Sequence, residues 1–320
     1  MIVLAGDIGG TSSRFQWCVA EGECSEKQVL RYSSGDFSSF AALLNQVLAD
    51  TGLERVDVAC FGLPGPIDGL RVDLTNLPWR IDAEELVRDL PLTRVLLIND
   101  FQAAALGIDQ VAADGLLCLH TAEADPEGNR LVVGAGTGFG VAPVCRIGGS
   151  HRPQPSEGGH IAFAPANADQ VQLLLWFQRR FGYVAYEDLL SGEGLVRIYA
   201  FCAERGGDDV PEGLTPAQIP VLAEEGDVVA VSALMFFVSI YGQLVGDLAL
   251  VWPARGGVYI AGGIGARIVR WMRSPLFTDA YLAKDRMSHL VEKLPVYLVL
   301  DDLVGLKGAL QLARQAAVAE

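Results

Sequence analysis

The chain has 320 residues, half of them apolar and a fifth charged, and a formal net charge of −15. That length suits two domains, and the acidity excludes a nucleic-acid binder held by counterion release. Any phosphate site must be local, built from backbone N–H groups, helix ends and a metal ion. The six cysteines include no C-x-x-C pair and so give no zinc pattern. The first residues show no basic stretch followed by an apolar run and a cleavage site. A reducing cytoplasm is the expected location.

Residues 1–5 read as an apolar strand running into Gly6-Asp7-Ile8-Gly9-Gly10-Thr11, with further strands over 14–19 and 28–32. Apolar positions 40, 43, 44, 47 and 48 predict a helix within 37–51, capped by Ser38 or Ser39. A strand over 56–61 ends in a loop, 62–69, dense in glycine and proline. Residues 82–89 read as a short helix, 94–98 as a β-branched strand delivering Asn99-Asp100, and 101–107 as helix. This alternation is an α/β pattern.

A second unit begins near residue 110. Strands over 131–133 and 141–146 flank Gly134-Ala135-Gly136-Thr137-Gly138-Phe139-Gly140. Helices are expected over 171–181 and 186–202, then a loop over 206–220. Residues 228–252 form a long apolar segment carrying Ser232, Gln243 and Asp247, which points to a buried core helix rather than a membrane span. A strand over 257–260 meets Ala261-Gly262-Gly263-Ile264-Gly265, and a strand over 296–300 precedes a helix over 303–317.

A strand followed by a glycine turn thus occurs three times, at 6–11, 134–140 and 261–265. Glycine permits positive φ and close ligand approach, and such turns can aim N–H groups at an anion. The first turn is neither a Walker A loop nor the Rossmann G-x-G-x-x-G. It reads either as a plain hairpin turn or as a phosphate loop beside which Asp7 binds hydrated Mg²⁺. Gly136, Thr137 and Gly138 offer a second cradle, richer in glycine than a hairpin needs. Gly262 and Gly263 read as an ordinary strand-to-helix turn or as backbone against which adenine and ribose lie.

Asn99 and Asp100 are both good helix caps. The functional reading makes Asp100 the base that orients and deprotonates an attacking hydroxyl. Glu157 and His160 would share a face on one helical turn, as a solvated pair or as part of a site. Glu187 is expected to open a helix, where the macrodipole favours an anion in any case. Together Asn99, Asp100, Glu157, His160 and Glu187 supply the donors and acceptors that a polyhydroxylated ring demands.

Six segments, in this order and spacing, resemble the bacterial glucokinase family of the enterobacterial type. They are Asp7-Ile8-Gly9-Gly10-Thr11, Leu97-Ile98-Asn99-Asp100-Phe101, Gly134-Ala135-Gly136-Thr137-Gly138-Phe139-Gly140, Glu157-Gly158-Gly159-His160, Leu190-Ser191-Gly192-Glu193-Gly194-Leu195 and Ile260-Ala261-Gly262-Gly263-Ile264. The resemblance implies an actin-like (ribonuclease H-like) two-domain α/β fold. A small domain, 1–110 plus 301–320, and a larger one, 111–300, would close over a cleft. It also implies ATP-dependent phosphorylation of glucose at the 6-hydroxyl, a glycolytic reaction, with Asp100 as base. Asn99, Asp100, Glu157, His160 and Glu187 match the family's glucose contacts, and Asn76 in the retained Thr75-Asn76 pair supports another. Gly6, Asp7, Ile8, Gly9, Gly10 and Thr11 match its ATP phosphate loop. Gly136, Thr137, Gly138, Gly262 and Gly263 complete the expected nucleotide site, with Mg²⁺ held by Asp7 through water. A homodimer with glucose and ATP as partners, and neither nucleic acid nor membrane, completes the expectation. The zinc-binding cysteine cluster of related ROK sugar kinases is missing, and the 62–69 loop carries more prolines than the family's usual version. The rival readings are a kinase for another hexose or amino sugar, a non-catalytic sugar-responsive regulator, and an actin-like structural or chaperone ATPase.

Overall fold

The computed structural model describes residues 1–22, 29–74 and 77–318. The chain divides into two compact units. The first is Met1–Ala113 with Arg152–Pro155 and Asp301–Glu320; the second is Asp114–His151 with Ser156–Leu300.

In the first unit β1 (Ile2–Ile8), β2 (Ser12–Val19) and β3 (Leu30–Ser33) form an antiparallel meander. There follow α1 (Phe40–Thr51), β4 (Val56–Leu63), the hairpin β5 (Arg71–Asp73) and β6 (Arg80–Asp82), α2 (Ala83–Asp89), β7 (Leu92–Asn99) and α3 (Asp100–Gly107). Among the described residues the sheet order is β3-β2-β1-β4-β7, with β1, β4 and β7 parallel. Side chains alternate across a strand, so each face of this sheet gets its own core. Leu4, Phe15 and Phe61 pack with the α1 stripe of Phe40, Leu43, Leu44 and Val47. Val3, Ala5 and Cys60 pack with Leu306, Ala309 and Ala313 of the C-terminal helix, Val304–Val318. Ser39 caps α1 by accepting the Ala42 N–H, and Gly52 ends it in the left-handed region.

The expected turn at 6–11 is shorter than its glycines suggest. β1 continues through Gly6 and Asp7 to Ile8, and only 9–11 turn. Gly6 serves close packing instead, because a Cβ there would lie 2.8 Å from the rings of Phe15 and Phe61.

The second unit holds a sheet of β8 (Leu116–His120), β9 (Arg130–Ala135), β10 (Phe139–Ile147), β11 (Ser150–Pro153), β12 (Val258–Ala261) and β13 (Val296–Val299), ordered β11-β10-β9-β12-β13-β8, with Arg152 and Pro153 of β11 counted in the first unit. Its principal helices are α4 (Ala168–Phe181), α5 (Gly192–Gly206), α6 (Gln218–Glu224), α7 (Val228–Val251) and α8 (Gly263–Arg267). β8 and β11 carried no clear period in the sequence.

α7 is long and apolar enough to cross a membrane by composition, yet most of it is buried in this unit's core through Leu234, Phe237, Tyr241 and Leu244. Several of its polar groups have partners within the unit, although Gln243 Oε1 is buried without one. Tyr241 Oη accepts the Ala135 N–H at 3.0 Å, Gln243 Nε2 donates to Ala164 O at 2.6 Å, and Asp247 pairs with Lys284 at 2.7 Å.

The helix expected over 186–202 begins only at Gly192, where Ser191 caps it by accepting the Gly194 N–H. Residues 186–191 are turns, closed by Leu190 N–H donating to Tyr186 O. Cys60, Cys118, Cys145 and Cys202 are free, and burial pushes the Cys60 and Cys202 thiols up to about 12. Cys18 is disulfide-bonded, a state the expectation of a reducing compartment did not include; Cys24 lies outside the described residues.

Candidate active site

In the first unit the predicted residues gather at the carboxyl ends of the parallel strands. Asp7 is in register with Gly62 of β4, and Gly62 with Ile98 of β7, so Asp7 and Asp100 leave the same edge of the sheet. Asn99 is the N-cap of α3. Its Oδ1 accepts the Phe101 and Gln102 N–H groups at 3.0 and 3.3 Å, and Gln102 Oε1 accepts the Asn99 N–H in a capping box. Asn99 Nδ2 donates to Gly65 O at 3.4 Å. Asp100 is the first helical residue, and its Oδ1 accepts the Phe101 N–H at 2.9 Å. Of the two residues, Asn99 does the capping.

Gly9, Gly10 and Thr11 form the β1–β2 turn. Gly9 N–H donates to Ser12 O at 3.0 Å, and Ser34 steadies the turn, its Oγ donating to Gly9 O at 2.7 Å and its N–H to Thr11 O at 3.0 Å. Asp7 faces three groups that the sequence reading did not single out. Arg14, its cross-strand partner, lies 3.9 Å away; Arg14 in turn donates to Asp302 O and pairs with Asp302 Oδ2 at 3.3 Å. A Cβ on Gly305, in the first turn of the C-terminal helix, would lie 3.2 Å from Asp7 Oδ1. Burial raises the Asp7 pKa, Arg14 pulls it down, and Asp302 pushes it up. The Arg14 contact was legible, since a short turn after Ile8 puts residue 14 opposite residue 7; the Asp302 contact spans nearly the whole chain.

In the second unit Gly158–His160 form one 3₁₀ turn. Glu157 and His160 share its face as expected, with His160 Nε2 3.8 Å from Glu157 Oε2 and 3.9 Å from Glu187 Oε1. Glu187 does not open a helix. It lies in the turn before α5, its N–H donating to Gly159 O at 3.0 Å and its Oε2 accepting the Phe139 N–H at 2.7 Å. With no helix starting there, its carboxylate is held instead by the N–H of Phe139, the first residue of β10.

The second and third glycine turns abut. β12 runs parallel to β9 with Ala261 beside Gly134, and Gly262 needs glycine twice over, for its φ of +91° and because a Cβ there would lie 2.6 Å from Ala135 O. Beside Gly263 a cavity of about 280 Å³ is lined by Leu195, Pro216, Val221, Ile264 and Ile268, with Glu224 and Arg267 as its charged groups. Leu195 and Ile264 belong to segments that the sequence analysis quotes, but nothing local marks them, or the residues from 216–224 and 264–268 beside them, as one cavity wall. Asn76 lies outside the described residues.

Among the described residues no three His, Cys, Asp or Glu side chains cluster as a metal cage. Asp7, beside the 9–11 turn, fits Mg²⁺, which keeps several waters and takes one or two carboxylates plus substrate phosphates.

Two α/β units with glycine turns at strand ends, a carboxylate pair on one sheet edge and a polar Glu–His–Glu group together have the architecture of the actin-like sugar kinases. The family model described as Glucokinase matches residues 4–316. A glucokinase from Chromohalobacter salexigens is 37% identical over 308 residues, 96% of this chain and 95% of that protein. The crystal structure of a glucokinase from an Antarctic psychrotroph superposes with a TM-score of 0.82 at 31% identity, covering 98% of this chain and 99% of that one. A ROK family glucokinase from Streptomyces griseus, solved in complex with glucose and AMPPNP, shares the fold with a TM-score of 0.69 at 20% identity over 98% and 100% of the two chains. The chain belongs to the glucokinase family.

Proposed function

We propose that this chain transfers the γ-phosphoryl group of ATP to the 6-hydroxyl of glucose, with Asp100 as the catalytic base. The observation that carries the reading is the pair Asp7 and Asp100 on one edge of a parallel sheet, each beside a turn or helix start. Such an edge is where open α/β sheets bind ligands.

Phosphoryl transfer asks the protein mainly for positioning and charge stabilisation. Asp100 orients the attacking hydroxyl and takes its proton as the new P–O bond forms and the bond from the γ-phosphorus to the bridging oxygen breaks, ADP leaving. Asn99 offers Nδ2 to a neighbouring hydroxyl while its oxygen holds the helix start. Glu157, His160 and Glu187 bond further hydroxyls and so reject sugars that lack them. Backbone N–H groups at Gly9, Gly10, Thr11, Thr137 and Gly138 receive phosphate oxygens, and the cavity beside Gly263 takes the base. Mg²⁺, when bound with the nucleotide, neutralises phosphate charge; Asp7 reaches it through water. We further infer a soluble cytoplasmic homodimer whose two domains correspond to the two compact units.

Asp100→Asn tests the base. It should lower kcat by about 10³-fold while glucose binding, followed by calorimetry, stays within a few-fold. Near-normal turnover in that variant would remove Asp100 from the role. A coupled assay across hexoses and amino sugars tests the substrate.

A further inference from the structure

Glu187 does two things at once in the second unit. Its Oε2 accepts the Phe139 N–H at 2.7 Å, and Gly138 packs so closely that a Cβ there would collide with the same carboxylate. Its Oε1 lies 3.9 Å from His160 Nε2, toward the polar group that also holds Glu157.

The glycine loop is pinned at both ends. Gly192 N–H donates to Gly136 O at 3.0 Å, and Phe139 is held by Glu187. Between these pins Gly136 N–H donates to Gly138 O at 2.8 Å, which leaves Thr137 exposed at the apex. Glu187 is itself fixed. Its N–H is held by Gly159 O, the Tyr186 N–H by Ile161 O, and the Tyr186 hydroxyl accepts from Gln243 Nε2 at 3.3 Å. A Cβ on Gly159 would collide with Phe139 O, so the three segments have no slack. A carboxylate that turns toward a ligand on one side gives up its bond to the Phe139 N–H on the other.

We propose that Glu187 is the joint that couples sugar binding to nucleotide binding: one carboxylate oxygen answers to the sugar, the other holds the phosphate loop. This rests on the function proposed above. The sign of the coupling follows from charge. A carboxylate against a phosphate loop repels the triphosphate, and sugar hydroxyls donating to Oε1 draw part of that charge away while locking the side chain. Sugar therefore tightens nucleotide binding, and linkage requires nucleotide to tighten sugar by the same factor. With no sugar the loop is less ready for ATP, which limits wasted hydrolysis.

Calorimetry on the full chain, with glucose and a non-hydrolysable ATP analogue in MgCl₂, each alone and together, tests this. In the wild type glucose should tighten the analogue by about fivefold or more. Gly138→Ala alters a residue with no side chain of its own to offer a sugar, yet it should weaken glucose by about tenfold with no nucleotide present. Glu187→Gln keeps one acceptor oxygen and loses the charge; it should reduce the coupling to about twofold or less. Glucose affinity unchanged in Gly138→Ala, or coupling undiminished in Glu187→Gln, overturns the joint. If Gly138→Ala does not fold, Glu187→Gln decides alone. A wild type that phosphorylates glucose while the Gly138→Ala effect is confined to nucleotide overturns the joint only; a wild type that cannot phosphorylate glucose overturns the functional reading as well.

Discussion

Asp7 occupies its place at a cost to stability. Burial raises its pKa above the ordinary carboxylate value of 3.8, and Arg14 offsets that only in part. Above the folded pKa the ionised side chain is held in a site that disfavours its charge; below 3.8 it is protonated in folded and unfolded chains alike, and the penalty disappears. Asp7→Asn should therefore raise the melting temperature near neutral pH by about 2–4 °C, with the gain fading on acidification. The same variant should lower kcat/KM for ATP by about a hundredfold. Melting curves at neutral and acid pH, beside steady-state kinetics, check both halves; an unchanged neutral-pH melting temperature would contradict the first. Such an exchange of stability for function is expected where a charge is buried for chemistry. At Asn99-Asp100 the residue types alone left two candidates for the cap. The structure gives the cap to Asn99 because β7 ends there and Asp100 already has helical backbone.

Helix placement depends on glycines whose role is space rather than turning. α3 and the C-terminal helix lie so close that a Cβ on Gly107 would collide with Val304 O, and one on Gly308 with Ala103 O. Gly308→Ala should cost about 1–3 kcal/mol by overpacking, seen as a lower denaturant midpoint. It should also lower kcat, because the helix it pushes is the one whose first turn holds Asp100. Gly107→Ala should act alike, and the double variant should fall short of the sum, since both report on one interface. A Gly308→Ala chain as stable and as active as the wild type would mean that the two helices separate freely. α7 shows the same device within the second unit, where a Cβ on Gly242 would collide with Phe277 O.

At the scale of the whole molecule the net charge of −15 repels an anionic substrate at long range. Screening should weaken that repulsion. Raising the salt from about 0.01 M to about 0.1 M shortens the Debye length from about 30 to about 10 Å. The KM for ATP should then fall by about twofold while the KM for neutral glucose stays fixed. Equal shifts in both constants would assign the effect to the fold rather than to charge. Because the general field is adverse, the proposed phosphate contacts at the glycine turns would have to act over a few ångströms.

The strands that end in glycine, the capped helix α1, the buried helix α7 and the Glu157–His160 turn follow from the sequence alone, because each depends on residues within a few positions of one another. Asp7 was legible as a carboxylate at a strand end, and its pairing with Arg14 could have been counted across the hairpin. The sequence misplaced Glu187 in a helix, because an apolar period continued through a turn that only Ser191 interrupts. Tertiary structure alone decided what Glu187 and Asp7 touch. Glu187 meets Phe139 and His160, and Asp7 lies against Gly305 and feels the charge of Asp302, across separations that leave no periodic trace. Local steric and hydrogen-bond preferences write elements into a sequence; the joining of two oxygens of one carboxylate to two different loops is written only in how those elements pack.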